Sequence, residues 1–114
     1  MAIPHPIPEP LAEVIATRFR ALGEPTRIRI LDRLREGPAS VQDITDALPT
    51  SQQNVSKHLA VLRQAGVVER HKDGTRTLYA IADDGVFDLC DRVCGSLRRE
   101  LGMLAGLMGA EVGA

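Results

Sequence analysis

Tryptophan is absent from the 114 residues, and one tyrosine and two phenylalanines leave aromatics at 3%. A stacking platform for single-stranded nucleic acid needs a series of aromatic faces, so that mode of binding is disfavoured. Cysteine occurs only twice, too few for a disulfide framework. No apolar run approaches the roughly 18–20 residues of a membrane span, so no membrane partner is expected. The opening residues, MAIPHPIPEP, lack the basic start and apolar segment that direct secretion. These absences point to a cytoplasmic protein. The length matches one compact domain and leaves no room for a catalytic domain beside a regulatory one.

Neither sign of charge dominates, since the net is −1 at pH 7. The distribution is uneven, however. Residues 51–79 carry Lys57, Arg63, Arg70, Lys72 and Arg76 against Glu69 and Asp73, a net of +3, while the rest carries nine basic against thirteen acidic residues, a net of −4. A basic segment on an acidic body marks a surface that meets phosphates.

Four prolines among the first ten residues predict an extended arm over 1–9. The main body then runs over 10–108, and 109–114 form a flexible tail. Leu11, Val14, Ile15, Phe19 and Leu22 make one apolar stripe on a helix over about 10–22, ended by Gly23. Pro25 suits the first turn of a second helix, whose core face is Ile28, Leu31 and Leu34 and which Gly37-Pro38 stops. Ser40 and Asp43 have capping-box spacing and start a short third helix, with Val41, Ile44 and Leu48 inward. Thr50 or Ser51 caps a fourth helix reaching about Ala65, with Val55, Leu59 and Leu62 toward the core and Gly66 placed for a left-handed C-terminal cap.

The period then changes. Residues 67–72 and 75–81 alternate as strands around Asp73-Gly74, a two-residue hairpin signal. From Val86 to about Met108 the chain returns to helix. Cys90, Leu97 and Leu104 repeat every seven residues, as do Cys94, Leu101 and Met108, which forms an a/d seam too long for so small a core to cover. A partner helix is therefore expected. Gly95, Gly102 and Gly109 share the seven-residue repeat. They allow a close helix approach or weaken the end of the helix.

The expected fold is mainly α with a small β-hairpin wing, in the order ααααββα. Helices three and four form a helix-turn-helix, and the hairpin after them is the wing. In such a motif the N-terminal end of the second helix meets base edges in the major groove. Here it carries Ser51, Gln52, Gln53 and Ser56. Glutamine can bond adenine in two places, and serine is adaptable. Lys57 suits phosphate, which positions without reading sequence. Arg70, Lys72 and Arg76 of the wing can reach the backbone or an adjacent minor groove. His58 has two readings, a phosphate contact or helix packing. The competing view of these polar residues is an ordinary solvated face. The order of short helix, Gln-bearing helix start, glycine turn and basic hairpin favours DNA.

The stretches FRALGEPTRIRILDRL (19–34) and SVQDITDALPTSQQNVSKHLAVLRQAGVVERHKDGTRTLYAIAD (40–83), with the long helix after them, resemble the ArsR/SmtB winged-helix repressors. The resemblance covers about residues 11–105, and SQQNVSKHLAVLRQAGVVERHKDG is its most specific part. It implies a homodimer paired through its first and last helices on a palindromic operator. It places DNA contact on Ser51, Gln52, Gln53, Ser56, Lys57 and His58, and on Arg70, Lys72 and Arg76 of the wing. Leu11, Val14, Ile15, Cys90, Cys94, Leu97, Leu101 and Leu104 would form the dimer interface. It further implies that a ligand or a redox change alters DNA affinity. The sequence alone names no protein co-regulator.

The family's frequent Cys-Val-Cys arrangement in the third helix is missing, since residues 42–46 read Gln-Asp-Ile-Thr-Asp. The last helix has aspartates but no histidine, against the family's Asp/His zinc site. Cys90 and Cys94 remain, one turn apart, and two thiolates can share a soft metal. Further ligands would come from a partner helix or from the arm, where His5 stands. Some nickel and cobalt sensors of the family recruit arm ligands. A transition metal (nickel, cobalt or zinc) or a metalloid is therefore the expected effector. Two other readings stay open for the cysteines, apolar seam packing and thiol redox sensing. No Cys-x-x-Cys and no general base beside either thiol is present, so an enzyme is not expected. The remaining alternatives are a redox-responsive or ligand-independent regulator of the same fold and a winged-helix protein-interaction module.

Overall fold

The computed structural model of the chain describes residues 2–108, without the side chains of Leu104, Ala105, Leu107 and Met108. The expected tail over 109–114 and Gly109 lie outside the described residues. The elements run α1 (Glu9–Leu22), α2 (Pro25–Leu34), α3 (Val41–Ala47), α4 (Gln52–Gln64), β1 (Val68–Asp73), β2 (Arg76–Ile81) and α5 (Gly85–Met108), the order of a winged helix. They fall into two compact units, one ending at Asp83 and one beginning at Asp84.

Local chemistry sets the element ends. Glu24 caps α2 by accepting from the Arg27 backbone N–H, with Pro25 in the first turn. Ser40 and Asp43 make a reciprocal capping box on α3. Ser51, not Thr50, caps α4 by accepting from Asn54 N–H at 3.1 Å. Gly66 then takes φ +79°, the left-handed conformation that lets the chain leave α4 and enter β1.

The core of the first unit is drawn from α2, α3, α4 and the start of the hairpin. Ile30, Ile44, Val55, Leu59, Leu62 and Val67 are fully buried. The face expected for α2 is partly corrected. Leu31 and Leu34 are buried, but Ile30 completes the arc and Ile28 is 47% exposed. At 3.6 residues per turn, Ile28 lies about 200° around the helix from Ile30 and cannot share its face. On α3 only Ile44 is fully buried, while Val41 and Leu48 are half-buried.

The hairpin turn is also displaced by one residue. Asp73 pairs with Arg76, so Asp73 ends β1 and the loop is Gly74-Thr75. Gly74 has φ +66°, and among the described residues no non-glycine residue has positive φ. Glycine in the first loop position alone is the pattern of a type II′ turn, which asks for one left-handed residue instead of the two a type I′ Asp-Gly loop needs. Outside the hairpin, Ala39 joins β2 through a single antiparallel bridge to Tyr79.

Two helices expose apolar side chains among the described residues. On α1, Ala21 and Leu22 are buried, yet Val14 is 65% and Phe19 53% exposed, with Leu11 and Ile15 half-buried. On α5, Leu97 and Leu101 are each 48% exposed, Cys94 is exposed and Cys90 half-buried. An added methyl at Gly95 or Gly102 would meet open space among the described residues.

Candidate nucleic-acid interface

The N-terminal end of α4 is built by its own cap and by α3. Leu48–Ser51 link the two helices, and the Asn54 side chain donates to Thr50 Oγ1 at 2.8 Å, so the turn into α4 is tied down on the helix side. Val55, Leu59 and Leu62 fix one face of α4 in the core. Gln53 and Lys57 on the opposite face are exposed, as are Ser56 on the flank, Gln52 in the first turn and Ser51 at the cap. Gln52 Nε2 donates to Gln42 Oε1 of α3, and Gln42 Nε2 in turn donates to Asp46 Oδ1 at 2.7 Å. Gln53, Ser56 and Lys57 have no side-chain hydrogen bond or ion pair among the described residues, so their polar groups are available to a ligand.

His58 is turned inward instead. Its side chain is 12% exposed, and Nδ1 lies 3.7 Å from Glu24 Oε2. Arg27 Nη1 is 3.1 Å from the same nitrogen, while Arg27 Nε donates to Ala21 O at 2.6 Å and Nη2 to Arg20 O at 3.1 Å. Glu24 is held below its ordinary carboxylate pKa by the Arg27 backbone N–H first, with the Arg27 guanidinium adding to it, against an opposing desolvation that is the second-largest influence. This cluster packs α4 onto the α1–α2 junction.

Strand alternation sorts the wing's basic residues into two faces. Arg70 and Lys72, with cross-strand partners Tyr79 and Thr77, share one face. His71 and Arg76 share the other. Arg70 and Lys72 are exposed and unpaired among the described residues. Arg76 is not free. Its Nη2 donates to Asp43 Oδ2 at 2.7 Å and to Ser40 Oγ at 3.3 Å, which ties the wing to the start of α3. The Ser40 backbone N–H, then the Ser40 hydroxyl and Arg76, hold the Asp43 carboxyl below its ordinary pKa.

Arg18 of α1 donates to Asp83 Oδ2 at 2.7 Å, and its guanidinium passes over Gly66. Sequence reasoning singled out none of Glu24, Arg27, Gln42 or Arg18. The capping residues had a local signal, but their second partners lie far along the chain and left none.

The candidate effector ligands are less organised. Cys90 and Cys94 lie one turn apart on α5, and Arg98 Nη2 contacts Cys94 Sγ at 3.9 Å. His5 is exposed on the arm. No group of three or more His, Cys, Asp or Glu side chains able to hold a metal forms among the described residues.

A family model for the helix-turn-helix domain matches residues 22–71. The chain is 40% identical over 80 residues to the HTH-type transcriptional repressor SmtB of Mycobacterium tuberculosis, covering 70% of this chain and 59% of that repressor. The chain thus spans less than two thirds of that relative's length. It is 42% identical over 78 residues to the HTH-type transcriptional regulator MJ1325 of Methanocaldococcus jannaschii, covering 68% of this chain and 88% of the relative. Among solved structures, the homodimeric winged helix-turn-helix DNA-binding domain of Mb0332 from Mycobacterium bovis, described as a possible ArsR-family regulator, superposes with a TM-score of 0.75 at 30% identity, over 90% of this chain and 95% of that one. With the element order, the capped reading helix and the basic wing all in place, the chain belongs to the ArsR/SmtB family of winged helix-turn-helix transcriptional regulators.

Proposed function

We propose that the chain is a sequence-specific regulator of transcription that binds double-stranded DNA as a homodimer on a palindromic operator, in the cytoplasm. One observation carries this reading: α4 exposes Gln53, Ser56 and Lys57, unpaired, at its N-terminal end, and the wing exposes unpaired Arg70 and Lys72. Glutamine and serine at that end match base-edge readout, and the three cations match phosphate. The exposed stripes on α1 and α5 support the pairing of two subunits, since Val14, Phe19, Leu97 and Leu101 are too apolar to be left in water by design. The test is a gel shift with a duplex of the chain's own upstream region, read alongside sedimentation. A dimer-dependent complex that weakens steeply with salt is expected. A complex missing at low salt, or one formed by a monomer, sinks the reading.

The effector part of the proposal rests on Cys90 and Cys94. One subunit offers two thiols, short of the four ligands a tetrahedral thiophilic site takes, so the remaining donors would come from the partner subunit or from His5 of the arm. Nickel, cobalt, zinc or a metalloid would then shift operator affinity. The exposure of Cys94 supports thiol oxidation as the second reading. Cys90→Ser with Cys94→Ser is expected to abolish the response of the gel shift to whichever agent acts, metal or peroxide. An unchanged response in that double variant leaves both cysteines as seam residues only.

A further inference from the structure

The basic residues of the wing divide by what already holds them. Arg70 and Lys72 have no ion-pair partner among the described residues, whereas Arg76 is paired with Asp43 at 2.7 Å and reaches Ser40 Oγ at 3.3 Å. Asp73 stands directly across the strand from Arg76, yet the pair forms with a carboxylate 33 residues away in sequence. The chosen partner is itself held in place. Asp43 Oδ2 accepts from the Ser40 backbone N–H at 3.1 Å, and Asp43 N–H donates to Ser40 Oγ at 3.1 Å, so the acceptor site is fixed by the capping box before Arg76 arrives. Both contacts come from one nitrogen, Nη2, which carries two hydrogens and so meets the carboxylate and the hydroxyl together, a directional tie to the start of α3.

This arrangement bears on how the wing meets DNA. A cation contributes to the salt dependence of DNA binding only if it neutralises a phosphate and releases a counterion. Arg76 already has an anion. Moving it to a phosphate would leave the Asp43 carboxylate uncompensated close to the polyanion. Arg70 and Lys72 carry no such penalty, and they lie on the opposite face of the hairpin from Arg76.

Resting on the DNA-binding reading above, we infer that Arg76 is a positioning residue: it anchors the wing to the capping box of α3 through Asp43 and Ser40, and so sets where Arg70 and Lys72 meet the phosphates, without neutralising one itself. The helix-turn-helix and the wing are in this way coupled through the first turn of α3, and the hairpin does not rely on its two-residue loop alone to hold its direction.

The experiment compares the full chain with Arg76→Ala, Asp43→Asn, their double variant and Lys72→Ala. Arg76→Ala leaves the capping box whole. Asp43→Asn keeps an acceptor for Ser40 N–H and removes only the charge. Binding to a labelled mixed-sequence duplex is measured over a range of salt. Arg76→Ala and Asp43→Asn are each expected to weaken binding by roughly fivefold, the scale of one well-placed exposed ion pair. The double variant is expected to be no weaker than either single one. The salt slope stays parallel to the parent protein in all three, while Lys72→Ala lowers it by about one. A slope flattened by Arg76→Ala as by Lys72→Ala, tighter binding in Asp43→Asn, or parent-like binding in Arg76→Ala overturns the inference. Amide relaxation over residues 70–73 in the DNA-free protein decides the anchor independently. Loosening in Arg76→Ala and in Asp43→Asn is expected, and an unchanged wing in both overturns it. Failure of the parent protein to bind the duplex at low salt would instead sink the DNA-binding reading, with the relaxation result still deciding the anchor.

Discussion

Arg27 Nη1 lies 3.1 Å from His58 Nδ1, so the helix before the helix-turn-helix grips the reading helix from behind. A guanidinium has only donors, and the imidazole nitrogen is therefore the acceptor in this contact. The same Arg27 also binds two carbonyls at the end of α1, those of Arg20 and Ala21. Arg27→Ala is expected to lower stability by about 1–2 kcal/mol in a denaturant titration, because it unties several hydrogen bonds at one junction. His58→Ala is expected to lower stability by less and to leave the salt slope of DNA binding unchanged. A flattened slope with unaltered stability would return His58 to the role of a phosphate contact.

The proposed roles of Gln53 in base reading and Lys57 in phosphate holding can be separated on α4. Gln53→Ala is expected to change which duplexes are preferred, with a loss of roughly 1–3 kcal/mol confined to the best sites. Lys57→Ala is expected to weaken all duplexes alike and to lower the salt slope by about one. Competition assays across a randomised duplex pool check both, and equal loss of preference in the two variants would refute the division.

Acid should loosen the first unit through two caps. Asp43 and Glu24 have folded-state pKa values below their ordinary values of 3.8 and 4.5. The unfolded chain then takes up protons first as pH falls, so their contribution to stability is complete above those ordinary values and is lost as pH drops through the lowered folded ones. Thermal denaturation from neutral pH downward is expected to show a decline beginning near about pH 4.5. Glu24→Gln with Asp43→Asn should make that decline shallower, and an identical pH profile in the double variant would remove these carboxylates from the explanation.

Gly66 is constrained twice. Its φ of +79° suits glycine, and a Cβ built there would stand 3.0 Å from Arg18 Nη2. Gly66→Ala is expected to cost about 1 kcal/mol or more in a denaturant titration, from backbone strain together with displacement of the Arg18 side chain from Asp83. A neutral result would mean that the turn between α4 and β1 adapts without loss.

Periodicity and caps made most of the fold legible. Val55, Leu59 and Leu62 marked the core face of α4, Ser40 with Asp43 marked the start of α3, and Gly66 marked the exit from α4, because each is a local rule acting within a few residues. Ile28 misled because three-residue spacing alone overstates how far a helical face extends, and the arc closes on Ile30 instead. The hairpin loop was placed one residue early because Asp-Gly signals two kinds of turn, and only the pairing of Asp73 with Arg76 tells them apart. On the candidate site, exposed Gln53 and Lys57 were visible from helical position. The pairs Arg76–Asp43 and Arg27–His58 were not, since they join residues 33 and 31 positions apart that carry no motif together.

The wing has one further property that follows from its two-stranded form. β2 meets Ala39 at a single bridge on its outer side, while the outer side of β1 has no strand beside it among the described residues. An open edge of backbone donors and acceptors is a template for sticking to another molecule's strand, and charged side chains are what usually deter it. Glu69, Arg70, His71, Lys72 and Asp73 line that edge in succession. The charges that suit the wing to a polyanion therefore also keep it from clumping, and a wing stripped of them to probe DNA contact should be screened first for aggregates.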